Sequence, residues 1–282
     1  MEKKNILVTL DENYVPPLKV MLYSLFLNNP GEEFHIYLLG EDFPEEKAEE
    51  INRLIKGFHG EFSLINVPEG IFDEAPVFRH YTKAMYYRLL ASTVLPSGID
   101  RILYLDPDIL IINPVKDLYD MELNGNLFGA GIHEDVIGMT EYMNKVRLSA
   151  YDAEGYFNSG VLVMDLKEQR DKIYPEDIYA YVEKHKNELI LPDQDILNGL
   201  YSDRIEPFDD SMYNYDARKF QRYLLLSKGV KTIDWVMEHT AVLHFCGRNK
   251  PWKPYCKNRF ALLYKHYEKK CKAWEKHMKT EE

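Results

Sequence analysis

The sequence predicts an α/β fold carrying a parallel sheet of nucleotide-binding topology, on three observations. Strand-like apolar runs alternate with helical periodicities in the order strand, helix, strand, helix, strand over residues 5–67. With 282 residues, the chain can bury the core of one large α/β domain with a smaller appendage. The opening "MEKKNILVTLDENY" breaks its short apolar run with charged residues. It therefore reads as a first strand rather than a signal peptide or membrane span, and the chain as soluble.

Each element has a local reason. "NILVTL" (5–10) is a strand, and the polar turn "DENY" leads into "VPPLKVMLYSLFLNN", whose Pro16 and Pro17 fit only the first turn of a helix. "FHIYLLG" (34–40) is a second strand, "PEEKAEEINRLIKG" (44–57) a helix opened by Pro44 and closed by Gly57, and "EFSLINV" (61–67) a third strand. "TKAMYYRLLAS" (82–92) reads as a helix, and "RILYL" as a buried strand that stops before Pro107, which has no N–H for a central ladder. Strands follow at 127–132 and 159–166, with Asn158 just before the second, then helices at 176–186 and from residue 192. Beyond residue 203 the chain is rich in Tyr, Arg and Lys and ends in "KHYEKKCKAWEKHMKTEE", a helix with charge on most faces. It reads as solvated, while Trp274 among lysines also suits a membrane surface or a partner. No repeat or low-complexity linker interrupts the chain.

A formal charge of −11 argues against a general nucleic-acid binder, so any phosphate bound here must meet a local cation. The three cysteines, Cys246, Cys256 and Cys271, have neither zinc nor disulfide-framework spacing, for which a reducing cytoplasm is the simplest setting.

The stretch "RILYLDPDILIINP" (101–114) places Asp106 and Asp108 inside an apolar run. Two buried carboxylates need a cation or a proton. In extended chain, residues two apart point the same way and form an oxygen clamp for Mg²⁺ or Mn²⁺. Asp-Pro-Asp is also ordinary turn chemistry, and the pair by itself leaves both readings open. In "VLHFCGRNKPW" (242–252), His244 offers an imidazole ligand, Gly247 close backbone approach and Lys250 a point charge for phosphate. The same residues also fit a core histidine and a surface lysine. In the first turn, Asp11 and Asn13 can read a base edge while Tyr14 stacks on its face, and either polar residue can cap the following helix. No G-x-G-x-x-G is present, which counts against a dinucleotide cofactor. Asn158 and the run Asp193, Gln194, Asp195 exceed what helix capping needs and suit a polyhydroxyl ligand.

Taken in order, "LDENY", "YYRLL", "YLDPDILI", "YFNSGVLVMDL", "DQDILNG" and "HFCGRNKPW" resemble glycosyltransferase family 8, the retaining enzymes that include lipopolysaccharide galactosyl- and glucosyltransferases. The resemblance implies a GT-A fold, a Rossmann-like mixed sheet flanked by helices. It divides the chain into a transferase domain at 1–255 and a smaller, helical C-terminal extension at 256–282. It also implies a UDP-glucose or UDP-galactose donor and Mn²⁺, or Mg²⁺ in its place, bound by Asp106, Asp108 and His244. Thr9, Asp11, Asn13 and Tyr14 would hold uridine. Arg88, Asn158 and Asp193 would reach the donor sugar, and Gly247 and Lys250 the diphosphate. Gln194 would lie beneath the anomeric carbon, and Ser159, where many relatives carry a smaller residue, would touch the sugar.

The implied reaction is hexose transfer to a saccharide or glycolipid hydroxyl with retention. Because Gln194 is a poor nucleophile, front-face attack is favoured, with Asp193 or Asp195 as rival covalent nucleophiles. The acceptor would lie against "DDSMYNYDARKFQRYLLLSKG" (209–229), and a lipid-linked acceptor would agree with peripheral membrane contact through the C-terminal helix. A non-catalytic nucleotide-sugar-binding protein and a metal-dependent nucleotidyltransferase or phosphohydrolase are the alternatives.

Overall fold

A computed structural model describes residues 3–67, 84–132 and 155–281. The N-terminal elements fall where the periodicity puts them: β1 (Lys4–Thr9), α1 (Val15–Leu27), β2 (Phe34–Gly40), α2 (Glu45–Gly57) and β3 (Glu61–Asn66). Helix α1 is apolar nearly all round and correspondingly buried, whereas α2 buries only the stripe Ala48, Ile51, Leu54 and Ile55. Next come α3 (Ala84–Leu89), β4 (Arg101–Leu105), β5 (Ile109–Ile111), β6 (Phe128–Ile132) and β7 (Phe157–Asp165). The start of the helix expected over 82–92 lies outside the described residues. The remaining long elements are α4 (Pro175–His185), α5 (Pro192–Tyr201), β8 (Ile205–Phe208), β9 (Tyr215–Asp216), β10 (Val242–His244) and α6 (Ala261–Glu281).

Seven strands form one mixed sheet in the order β3-β2-β1-β4-β7-β6-β8. Strands β1 to β4 run parallel, β7 is antiparallel to both its neighbours, and β8 is parallel to β6. The central strands are covered on both faces. Leu7, Tyr104 and Leu162 pack under α3, α4 and α5, while Ile6, Val8, Leu103 and Val163 pack under α1 and α2. Burial on both sides explains why these runs are continuously apolar rather than alternating.

Three features differ from the sequence reading. Strand β7 begins at Phe157, which pairs with Ile132 across an irregular register, so Asn158 lies within the strand instead of before it. The run after Asp106 is a separate strand: β5 leaves the main sheet and pairs antiparallel with β10 in a three-stranded sheet ordered β5-β10-β9. Its edge is closed by α1, where Ser24 Oγ accepts from Ile111 N at 3.0 Å and Asn28 Nδ2 donates to Ile111 O at 3.0 Å.

The third difference is α6, which is not solvated on every face. Tyr264 and Cys271 are buried in it, and Trp274 stacks on Phe58 at 4.8 Å, which stacks in turn on Phe26 at 5.1 Å. Gly57 admits the indole, since a Cβ there would lie 2.4 Å from Trp274. Lysines on the other faces hide this stripe from a reading based on charge. No described helix is long and apolar enough to cross a membrane.

Because Trp274 anchors α6 on α1 and α2 while remaining partly exposed, Trp274→Ala is expected to cost about 2–3 kcal/mol. A lowered urea midpoint with an unchanged slope would show it; an unshifted midpoint would mean that α6 packs independently of this side chain.

Candidate active site

The site forms where the chain passes from the large sheet to the small one. At the end of β4, Asp106 N donates to Gly160 O on β7 at 2.9 Å, and Asp108 O accepts from Phe245 N, just past β10, at 3.0 Å. Asp106, Pro107 and Asp108 thus make a tight turn pinned at both ends, and this turn, not the alternation of an extended strand, brings the carboxylates together. Pairing of β10 with β5 sets His244 opposite Ile109. His244 Nε2 lies 3.2 Å from Asp108 Oδ1 and 3.7 Å from Asp106 Oδ2, and a ligand atom of each of the three lies within 4.8 Å of the others. Gly160 leaves the room, because a Cβ there would sit 2.3 Å from His244 Cε1 and 2.6 Å from Asp106 Oδ2.

Cations flank the pair. Arg88, which lies across the Tyr104 ring, bridges Asp106 Oδ1 at 3.1 Å and Asp193 Oδ2 at 2.9 Å. Tyr104 OH donates to Asp106 Oδ1 at 2.5 Å and lies 3.3 Å from Thr9 Oγ1. Lys250 Nζ bonds to Asp108 Oδ2 and to Phe245 O. Burial pushes the Asp106 carboxyl above its ordinary value even with Arg88 beside it. Burial would raise Asp108 too, but His244 and Lys250 outweigh it and hold that carboxyl well below the usual range. For His244, burial opposes the charged form, yet Cys246 and Asp108 outweigh it and raise the imidazole well above its ordinary value. Three carboxylates, Asp106, Asp108 and Asp193, thus face two permanent cations, Arg88 and Lys250, with the charged form of His244 favoured beside them.

A buried hydrogen-bond chain fixes the ring. Gly160 N, an unambiguous donor, bonds to Asn158 at 2.9 Å, which identifies that acceptor atom as Oδ1. Asn214 Nδ2 donates to the same oxygen at 2.8 Å, so Asn214 Oδ1 faces His244 Nδ1 at 2.8 Å and requires a proton there. Nε2 is the nitrogen left to face the two carboxylates. At the other end, Asn158 Nδ2 donates to Gln194 Oε1 at 3.0 Å. Asn214, Tyr104 and Gly160 escaped the sequence reading. Gly160 lay within a quoted motif, but Asn214 carries no local signal, because its partners lie 30 and 56 residues away in sequence.

The other expected residues divide. Ser159 Oγ donates to Asp193 Oδ2 at 3.0 Å, joining Arg88, Asp193 and Gln194 into one cluster with the carboxylate pair. Asp195 does not belong to it: Oδ2 accepts from Ile190 N and Leu191 N at 2.6 and 3.0 Å, and Oδ1 from Tyr156 OH at 2.5 Å. This fully buried carboxylate closes the turn into α5 instead of facing a ligand. Asp11 Oδ1 caps the first turn by accepting from Asn13 N at 2.8 Å, and both residues stay exposed. The Tyr14 ring meets Trp252 edge-on at 5.9 Å, which brings the first turn beside the 242–252 segment. Gly247 has φ +79°, and a Cβ there would come 2.6 Å from Arg218 Nη1.

A nucleotide-type half-sheet whose strand ends carry two carboxylates, an imidazole and flanking cations defines a GT-A glycosyltransferase architecture. Residues 5–256 match the model of glycosyl transferase family 8, and the chain belongs to that family. It is 27% identical to General stress protein A of Bacillus subtilis, covering 94% of this chain and 93% of that one. It is also 27% identical to the lipopolysaccharide 1,2-glucosyltransferase of Escherichia coli K12, covering 88% and 72%. The crystal structure of the galactosyltransferase LgtC in complex with donor and acceptor sugar analogs superposes with a TM-score of 0.79 at 26% identity, covering 94% of this chain and 95% of that one.

Gly160→Ala is expected to destabilise the fold by about 1–3 kcal/mol, since the methyl must displace His244 or the Asp106 carboxylate. Thermal melting of the variant tests this, and an unchanged melting temperature would show that the site has slack the distances deny.

Proposed function

We propose that the protein transfers glucose or galactose from its UDP-sugar to a saccharide or glycolipid hydroxyl with retention at the anomeric carbon. The convergence of Asp106, Asp108 and His244 in a family 8 chain carries this reading. Two carboxylates and one imidazole whose Nε2 faces them are a donor set that fits Mn²⁺, with Mg²⁺ the alternative. A divalent cation held there would neutralise charge on the departing diphosphate. Lys250, now on Asp108, adds a second cation for that diphosphate, with Gly247 giving close backbone approach. Thr9, Asp11, Asn13 and Tyr14 form the uridine side, and Arg88, Asn158, Ser159 and Asp193 the sugar side.

Front-face transfer, with a diphosphate oxygen taking the acceptor proton, is the mechanism the site supports best. Asp193 is paired with Arg88, Gln194 is an amide, and Asp195 has both oxygens engaged, so none of these three residues stands ready as a carboxylate nucleophile. A glycosyl adduct on Asp193 or Asp195, detected by mass spectrometry after incubation with donor, would overturn this mechanism.

Incubation with UDP-glucose or UDP-galactose is expected to release UDP only with Mn²⁺ or Mg²⁺, and Asp106→Asn or Asp108→Asn should lower the rate about 100-fold or more. Absence of metal-dependent UDP release with either donor, acceptor sugars included, would sink the enzyme reading. Asn214→Ala should weaken Mn²⁺ binding about 10–100-fold by calorimetry, as removal of a partner that orients a ligand does. An unweakened variant would deny Asn214 that role. Because His244 is raised and must shed its Nε2 proton to bind, Mn²⁺ affinity should increase with pH, with proton release visible in weakly buffered solution. A pH-independent affinity would contradict this.

A further inference from the structure

Asp216, at the end of β9, is a fully buried carboxylate that the transferase cluster does not include. Parallel pairing sets it beside His244 on β10. Its oxygens accept from Arg218 N at 3.0 Å, Arg218 Nε at 2.9 Å and Arg218 Nη2 at 2.7 Å. The first bond closes the turn after β9, and the other two hold the guanidinium by one edge. An uncharged Asn or Ser would close the turn without the cost of a buried charge, so what the carboxylate adds is the fixed guanidinium.

The rest of the guanidinium stays available. Asp216 engages only Nε and Nη2 of a group with five N–H donors, and none of the described residues accepts from Nη1. Nη1 lies against Gly247, where a Cβ would come 2.6 Å from it, and the Arg218 side chain is 48% exposed, so a ligand can reach it. Gly247 stands midway between His244 and Lys250 in sequence, on the turn assigned to the diphosphate. Asp216 does not cancel the cation, because Lys219 lies 3.7 Å from the same carboxylate and the three groups together keep one positive charge. The bond to Asp216 raises the guanidinium above its ordinary value against burial, and Asp108 adds to the shift, so its charge is also felt at the carboxylate turn.

We propose that Arg218, held in place by Asp216, donates from Nη1 to the β-phosphate of the UDP leaving group and shares its negative charge with Lys250. A planar guanidinium preset by a buried carboxylate gives up little side-chain freedom on binding, and it meets phosphate oxygens with directed N–H groups that an ammonium lacks. Arg218 is then a catalytic residue by contact with the leaving group, and Asp216 a positioning residue. The inference rests on the transferase reading and adds a member to its diphosphate side.

The test is calorimetry of the full chain with Mn²⁺ present, comparing UDP with UMP, which lacks the β-phosphate. Arg218→Ala is expected to weaken UDP about tenfold, the low end for a bond to a charged group because the side chain is half exposed, and UMP by less than about threefold. Arg218→Lys should still weaken UDP about fivefold, since the ammonium has no fork. Should Asp216 without its partner unfold the chain, the double variant Asp216→Asn, Arg218→Ala removes the buried charge and carries the same expectation. Mn²⁺ affinity without nucleotide should stay within about twofold of wild type in every variant, which a collapse of the neighbouring site would not allow. Wild type that binds no UDP sinks the transferase reading and this proposal together. Where wild type binds UDP, the proposal alone is overturned by unchanged UDP affinity in the alanine variant, by equal losses for UDP and UMP, by an Arg218→Lys that binds UDP as wild type does, or by weakened Mn²⁺. Unchanged UDP affinity with a raised acceptor KM would make Arg218 an acceptor contact and reject the diphosphate role.

Discussion

The electrostatic cost of two buried carboxylates on one tight turn is the constraint around which the structure is arranged. Asp106 and Asp108 sit where neither can be fully hydrated, and a low local dielectric amplifies both their repulsion and any compensation. Arg88 comes from α3, Lys250 from the segment after β10, and His244 from β10 itself. Arg88 and the His244–Lys250 segment lie far from the turn in sequence and on opposite sides of it, so the counter-charges meet the carboxylates only in the assembled fold. The same grouping of two carboxylates and an imidazole is what the proposed divalent cation would use.

Geometry at the junction of the two sheets sets how tightly the groups are held. The turn is tied to β7 through Gly160 and to the end of β10 through Phe245, while α1 closes the free edge of β5 with Ser24 and Asn28. Orientation of the imidazole is then inherited from a backbone N–H, passed through Asn158 and Asn214. A chain of amides anchored on a peptide group has one self-consistent arrangement of donors and acceptors, which presents a single nitrogen to the carboxylates. Gly160 serves twice, with its N–H at the origin of this chain and its missing Cβ as the space that His244 and the Asp106 carboxylate occupy.

The outer elements show how composition misleads when it is read without a partner surface. Helix α6 has the charge of a solvated helix, yet one stripe of it seals α1 and α2. Its six lysines over 261–281 conceal a stripe that a neighbouring groove, opened by Gly57, is there to receive. Between the short helices Phe220–Leu226 and Ile233–His239, by contrast, Leu225 and Val230 stay exposed.

By itself the sequence determined the alternation of strands and helices through β3 and the end of β4 before Pro107. These follow from periodicity and from proline's missing N–H, both local properties, whereas the ordered set of motifs spoke only through its resemblance to a family. Tertiary structure alone decided that β5 departs into a second sheet, that Asn158 lies inside β7, that Asp195 closes a turn while Asp193 faces Arg88, and that Asn214 orients His244. The physical reason is common to all four. Strand partners, hydrogen-bond partners and counter-charges far along the chain select among conformations that each local segment permits equally, and no spacing within a segment records that selection.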